Sequence, residues 1–324
     1  MSDADAKTAL ICGVSGQDGA YLAKLLLDRG YRVVGTSRDA ATASFSNLSK
    51  LGVRERVGVT SSSLIDFRSL IRVLLEFQPD EIYNLAGQTS VGLSFEQPVE
   101  ALDSLAYGTL NLLEAIRLFK RPVRLYNACS SECFGDTLGV PADETTPFRP
   151  RSPYAVAKVA AFWQVRCYRE AYGIHASSGI LFSHESPLRP ERFVTQKVVA
   201  AACRIASGSR ERLSLGDLSV ERDWGWAPEY VESMWCMVQQ DEPSDYVICT
   251  GETRPLSAFV DEAFSAVGLS WRDHVDENRA LFRPVDIRNS SGSATKARER
   301  LGWYARYKMR EVVRGMIDAA RAAS

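Results

Sequence analysis

Tyr154 and Lys158 stand four residues apart in Ser152-Pro153-Tyr154-Ala155-Val156-Ala157-Lys158. If Pro153 opens a helix, both side chains share one face, one turn apart. A phenol with a pKa of about 10 is a poor base at neutral pH, and a neighbouring ammonium favours the phenolate. Such a pair is a workable acceptor for the proton of an alcohol undergoing oxidation by hydride transfer. Spacing alone does not establish this, since Tyr and Lys at this interval also decorate ordinary helix surfaces. Upstream, Leu125-Tyr126-Asn127-Ala128 reads as a strand running into Cys129-Ser130-Ser131-Glu132-Cys133. Ser130 is placed to hydrogen-bond the reacting hydroxyl. Glu132 carries more information, because oxidation alone needs no further carboxylate. A positioned Glu removes an acidified proton alpha to a ketone and protonates a leaving hydroxyl.

A second constellation lies near the start. Gly13-Val14-Ser15-Gly16-Gln17-Asp18-Gly19 follows the strand candidate Ala9-Leu10-Ile11-Cys12 and precedes Leu22, Leu25 and Leu26 at helical spacing, closed by Arg29-Gly30. Glycines there allow a tight turn and close backbone approach to a pyrophosphate, which the free N–H groups of the helix N-terminus then hold. The next strand, Arg32 to Thr36, ends in Ser37, Arg38 and Asp39. An acid at this place bonds a ribose 2′-hydroxyl, whereas an Arg pairs with a 2′-phosphate. Arg38 therefore points to NADP rather than NAD, with Asp39 as the competing signal.

The elements that position these groups alternate. Glu81 to Leu85, Val123 to Asn127 and Ile174 to Phe182 read as further strands, while Leu64, Phe67, Leu70, Ile71, Leu74 and Leu75 repeat at helical spacing. That alternation predicts an α/β protein with a doubly wound parallel sheet covered on both faces. After Ser183, prolines at 187, 190, 228, 243, 255 and 284 break the chain into shorter pieces, with a strand expected over Asp245 to Cys249. This part reads as a smaller substrate lobe interleaved with the last strands of the sheet.

The 324 residues hold 39 Lys plus Arg and 40 Asp plus Glu, a net charge of −1, which gives no electrostatic reason to expect nucleic acid or an anionic membrane. No apolar run approaches the length of a membrane span, and the N-terminus is polar and acidic. Seven dispersed cysteines, with Cys129 and Cys133 the only close pair, read as reduced thiols of a cytoplasmic protein, with no disulfide framework and no metal site.

The chain resembles the extended short-chain dehydrogenase/reductases and, within them, the GDP-mannose 4,6-dehydratases. The resemblance runs from about Lys7 to Ile317 and rests on ordered matches. They include Gly16-Gln17-Asp18-Gly19, Asn84-Leu85-Ala86-Gly87-Gln88, Ser94-Phe95-Glu96-Gln97-Pro98, Ser130-Ser131-Glu132, the Tyr154–Lys158 segment, Ser183-His184-Glu185-Ser186-Pro187, Arg222-Asp223-Trp224-Gly225 and Phe282-Arg283-Pro284. It implies a Rossmann-type domain over residues 1–182, its sheet completed by about 229–253, and a substrate lobe over 183–228 and 254–324. NADP would contact Gly13, Ser15, Gly16, Gln17, Asp18, Gly19, Arg38, the loop Leu85, Ala86, Gly87, Gln88 and Thr89, and Lys158, His184 and Arg189. Ser130, Glu132, Tyr154 and Lys158 take the catalytic positions. Ser94, Glu96, Ser183, Glu185, Lys197, Arg222, Arg283 and Asp286 fall on the GDP-sugar side, where an arginine fork suits a diphosphate.

The implied reaction is an internal redox cycle. Tyr154 takes the C4 hydroxyl proton as hydride leaves C4, Glu132 removes the C5 proton and assists loss of water, and hydride returns to C6. A homodimer or homotetramer is implied as well. The chain departs from the family at Ser183, where Asn is usual, at Ser63 for Asp, at Asp39 for the second of two arginines, and at Asp286 for Glu. These departures leave open another GDP-hexose or GDP-heptose as substrate. A reductase or epimerase of a GDP-4-keto sugar is the enzymatic alternative, though it needs no Glu132. A catalytically idle binding protein is the alternative of another class, against which the intact set Ser130, Glu132, Tyr154 and Lys158 stands.

Overall fold

The computed structural model describes residues 6–322, so the start of the polar N-terminal run lies outside the described residues. Twelve strands occur among them: Thr8–Cys12 (β1), Arg32–Ser37 (β2), Gly58–Ser61 (β3), Glu81–Asn84 (β4), Arg124–Ser130 (β5) and His175–Leu181 (β6) in the first half. Ser183–Glu185 (β7), Leu213–Leu215 (β8), Glu221–Trp226 (β9), Tyr246–Ile248 (β10), Thr253–Pro255 (β11) and Val275–Glu277 (β12) follow. The main sheet runs β10-β6-β5-β4-β1-β2-β3 with every pair parallel. Its order reverses between β1 and β4, and at such a switch point the carboxyl ends of the strands open a crevice.

All of β1 is buried, as a strand covered on both faces requires. Leu22 and Leu26 of the helix Gln17–Asp28 pack with Tyr230 and Met234 of the helix Ala227–Gln239 on one face. Leu70, Leu74, Leu112 and Val165 cover the other. Each such buried Leu contributes about 1.5–3 kcal/mol relative to exposure. A second core joins Val198, Trp224, Phe259, Phe264 and Val313 beneath the smaller sheet β11-β9-β7. The chain leaves the main sheet after β6 and returns to it for β10, which pairs with β6.

Two differences from the sequence reading have physical causes. β5 does not stop at Ala128 but continues through Ser130, because β6 keeps supplying partners (Ala128↔Gly179, Cys129↔Ile180, Ser130↔Leu181). The strands β7, β8, β11 and β12 span three residues each, too short to carry a periodicity that the sequence could reveal.

Candidate active site

The glycine turn assigns a separate duty to each glycine. Gly13 sits at φ +87°, and a Cβ there would lie 3.0 Å from the backbone of Leu85 and Ala86. A Cβ at Gly19 would meet the Gly13 carbonyl at 2.4 Å, so helix and strand pack too closely for any side chain. Gly16 faces open space, its added Cβ meeting only the Gly13 carbonyl oxygen at 3.4 Å. Gly16 caps the helix Gln17–Asp28 without a side-chain hydrogen bond, leaving first-turn N–H groups for an anion. This cradle fits a dinucleotide. The exposed Ser15 lends its carbonyl to Asn47 Nδ2 at 3.0 Å. Beside the turn, the Leu85–Thr89 loop is held by the Leu85 N–H on the Cys12 carbonyl at 3.0 Å and the Gln88 N–H on Ser104 Oγ at 3.2 Å.

Gln17, Asp18, His184 and Ser186 bind one another, linking the start of the helix Gln17–Asp28 to the β7 segment. Gln17 Nε2 donates to the His184 carbonyl at 3.2 Å, and the Ser186 hydroxyl donates to Gln17 Oε1 at 2.7 Å. His184 donates Nδ1–H to the Phe182 carbonyl at 2.7 Å and Nε2–H to Asp18 Oδ2 at 2.9 Å. Since carbonyl and carboxylate only accept, both ring nitrogens carry hydrogen and the ring is an imidazolium. Burial presses its pKa down, but the charge and hydrogen bond of Asp18 outweigh that and raise it. His184 and Asp18 thus fasten the turn to β7, and Tyr230 stacks on the ring at 4.6 Å.

The catalytic candidates converge at the carboxyl end of β5. Ser152 Oγ accepts the Ala155 N–H at 3.1 Å and starts the helix Pro153–Tyr172, with Pro153 in its first turn. Tyr154 and Lys158 are both buried on it, the ammonium 5.9 Å from the Tyr154 ring centre. One expectation needs correction. Burial pushes the Tyr154 phenol well up, and the Ser130 hydrogen bond only partly offsets it. Lys158 Nζ instead donates to the Ala128 carbonyl at 2.6 Å, and burial lowers its own pKa. Ser130 Oγ accepts the Glu132 N–H at 3.2 Å and caps the short turn Ser131–Phe134. Burial raises the Glu132 carboxyl above its ordinary range, against the opposing pull of Arg222 and Arg283.

Among the residues expected to meet the sugar nucleotide, Asp286 Oδ1 receives Arg222 at 3.0 Å and Arg283 at 3.3 Å, so one carboxylate gathers both guanidiniums beside Glu132. Lys197 Nζ donates to the Ser214 carbonyl at 2.7 Å. Other expected groups are less available. Glu185 is buried, accepting the Thr195 hydroxyl at 2.7 Å and pairing with Arg189 at 3.0 Å, so neither Glu185 nor Arg189 stands free in the cleft. Ser94 is wholly buried with its hydroxyl on the Val91 carbonyl at 2.6 Å, closed inside its own helix rather than facing a ligand. Glu96 is exposed at that helix's end, and Ser183 is half-buried in β7.

The family model described as GDP-mannose 4,6 dehydratase matches residues 10–316. The chain belongs to the GDP-mannose 4,6-dehydratase family. Relatives in this family include GDP-mannose 4,6 dehydratase 1 of Arabidopsis thaliana, 45% identical over 322 residues and covering 96% of this chain and 89% of that one. The GDP-mannose 4,6-dehydratase of Sinorhizobium fredii is 44% identical over 337 residues, covering 97% of this chain and 96% of its own. Among solved structures, a Thermus thermophilus UDP-glucose 4-epimerase in complex with NAD superposes with a TM-score of 0.87 at 26% identity, covering 98% of this chain and 100% of that one.

For a member of the GDP-mannose 4,6-dehydratases, the surroundings of Arg38 are informative. Arg38 is 85% exposed and pairs only loosely with Glu100 at 3.8 Å. It borders a concavity of about 410 Å³ at the ends of β2 and β3 that also takes in Ser61, Ser62, Ser63, Asp66, Arg68, Ser69 and Arg72. Arg68 and Arg72 went unnoticed in the sequence, although their spacing of four on a helix puts both on one face. A larger groove of about 600 Å³ along Phe67, Ile71 and Leu75 contains none of the catalytic groups. Among the described residues no cluster of three or more His, Cys, Asp or Glu side chains could hold a metal, and no helix is long and apolar enough to cross a membrane.

Proposed function

We propose that the chain dehydrates GDP-mannose to GDP-4-keto-6-deoxymannose, moving hydrogen internally from C4 to C6. The observation that carries this reading is Glu132, a carboxyl with a raised pKa between Ser130 and the Arg222–Arg283 pair. When bound, the nicotinamide supplies the hydride acceptor at C4 and the hydride donor at C6, so no net oxidant is needed. NADP rather than NAD is favoured by the arginines and serines around Arg38, which suit a 2′-phosphate. The glycine turn, the Leu85–Thr89 loop and Lys158 hold the remainder of the dinucleotide.

Tyr154 accepts the C4 hydroxyl proton. Burial makes its phenolate rarer but also a stronger base once formed, and the Ser130 hydroxyl lies within hydrogen-bond reach to steady it. A C4 ketone acidifies C5, whose proton Glu132 removes. The raised pKa lets Glu132 keep that proton and hand it to the departing C6 hydroxyl. Arg222 and Arg283 orient the diphosphate, with Asp286 holding their forks in place. A reductase has no use for such a carboxyl at this place, which is why elimination is the favoured reading.

Residues 1–182 with 229–253 form the nucleotide domain in this reading, and 183–228 with 254–324 the GDP-sugar lobe. The separate core of Val198, Phe259 and Val313 supports that division. Exposed Val99, Leu102, Tyr107, Val156 and Trp163, on helices packed side by side, support a homodimer or homotetramer. Seven free cysteines accord with the reducing cytoplasm. The decisive experiment uses GDP-mannose deuterated at C4. Deuterium should appear in the C6 methyl group without consumption of NADPH. Net NADPH oxidation, or no labelled product from any GDP-hexose or GDP-heptose offered, overturns the reading.

A further inference from the structure

The turn that carries Ser130 and Glu132 is bracketed by two thiols. Cys129 is the penultimate residue of β5 and Cys133 lies in the turn Ser131–Phe134, and their sulfurs lie 3.5 Å apart although both residues are buried. A disulfide needs the sulfurs at about 2.05 Å, so closing the pair shortens the distance between the sulfurs by roughly 1.5 Å and strains the turn between them. Cys129 adjoins the Ala128 carbonyl that holds Lys158 Nζ at 2.6 Å, and Cys133 Sγ lies 3.9 Å from the Ala155 carbonyl at the start of the Tyr154 helix. The pair thus lies on the segment that carries Ser130 and Glu132, next in sequence to the carbonyl that holds Lys158 and against the first turn of the Tyr154 helix.

We propose that Cys129 and Cys133 are a peroxide-oxidised dithiol whose closure to a disulfide switches the site off by displacing Ser130 and Glu132. This switch rests on the proposed dehydration, in which those two residues carry the chemistry. Ser130 and Glu132 are themselves partly exposed, so the turn has a solvent-facing side open to a molecule as small as hydrogen peroxide. The Cys129 thiolate attacks one peroxide oxygen, the O–O bond breaks, and the displaced hydroxide leaves as water after taking up a proton. The resulting sulfenic acid is attacked at sulfur by Cys133, which loses its proton as the hydroxyl leaves as a second water. In total two thiols give up two electrons and two hydrogens, and one peroxide becomes two waters.

The environment divides these roles. Burial alone would raise the Cys129 pKa, yet the hydrogen bond from Cys133 and the charge of Lys158 bring it below the ordinary thiol value. Cys133 is pushed well up by burial and by Cys129, so it keeps its proton until the resolving step. A displacement near 1 Å at a catalytic group lowers turnover by about 10²-fold.

The test treats the purified chain with hydrogen peroxide and maps unreduced peptides while turnover is followed. The expected result is a Cys129–Cys133 link, turnover reduced about 10²-fold, and recovery with dithiothreitol. Cys133→Ser should keep basal turnover and lose the reversible inactivation, with Cys133→Ala as the second variant should the first not fold. Oxidation confined to the exposed Cys167, or sulfinic acid at Cys129 without a link, overturns the proposal. A link that leaves turnover unchanged overturns the switch. Unchanged turnover in Glu132→Gln instead overturns the catalytic reading beneath it, so the two failures are separable.

Discussion

Nε2 of His184 lies 2.9 Å from Oδ2 of Asp18, joining the glycine turn of the main sheet to the first strand of the smaller lobe. In the proposed reaction, a dinucleotide on the turn and a sugar nucleotide beyond β7 would have to meet at fixed separation for hydride to pass. This ion pair ties the two segments directly together.

The pair gives stability a pH dependence with a definite sign. The His184 pKa is raised above 6.5, so its contribution is full below that value and is lost as pH rises through the higher folded value. The Asp18 pKa is lowered below 3.8, despite burial, chiefly by His184, so its contribution is full above 3.8 and lost as pH falls through the lower folded value. His184→Asn should cost about 2 kcal/mol in mildly acidic buffer. Thermal unfolding across pH should then lose the alkaline decline that the raised His184 pKa predicts for the parent chain. An unchanged decline would assign it to another group.

Glu132→Gln removes the proton acceptor while keeping size and polarity. Turnover should fall by about 10²–10⁴-fold, while NADP binding stays within error. In the parent chain, turnover should decline as pH drops through the raised Glu132 pKa, and that acid limb should disappear in the variant. Stopped-flow rates and calorimetric titration check the two halves separately.

Arg222 presents its fork beside Asp286, and Lys cannot reproduce two parallel donors. Arg222→Lys should raise KM for GDP-mannose by about 10-fold or more with a smaller change in kcat, since uniform binding is lost rather than transition-state contact. A loss confined to kcat would place Arg222 on the reacting centre instead.

The arginines around the β2 and β3 ends are the groups that the proposed preference for NADP rests on. Arg68→Ala with Arg72→Ala should weaken NADP by about 10-fold or more and leave NAD almost untouched, as expected for charges that meet only a 2′-phosphate. Equal weakening of both would remove these residues from cofactor choice.

Local features are legible in the order of residues alone. The helix beginning at Pro153 is visible because Ser152, Pro153 and the Tyr154–Lys158 interval are neighbours, and its cap forms as those residue types require. The glycine turn is equally visible, since tight turns and helix starts depend on residues within a few positions of one another. Glu132 stands out by chemistry alone, a carboxylate where oxidation needs none.

What the chain order could not disclose depends on burial and on distant contacts. The ammonium of Lys158 turns to the Ala128 carbonyl and leaves Tyr154 under the control of desolvation, because interior packing, not spacing, decides where a long side chain ends. Asp286 reaches Arg222 across 64 residues, and Glu185 and Ser94 withdraw into the interior through partners no motif names. Residue types and short intervals determined which chemistry this protein performs. Tertiary packing alone decided which groups stay available for it, since solvation and charge environment are set by atoms that the backbone brings together from far along the chain.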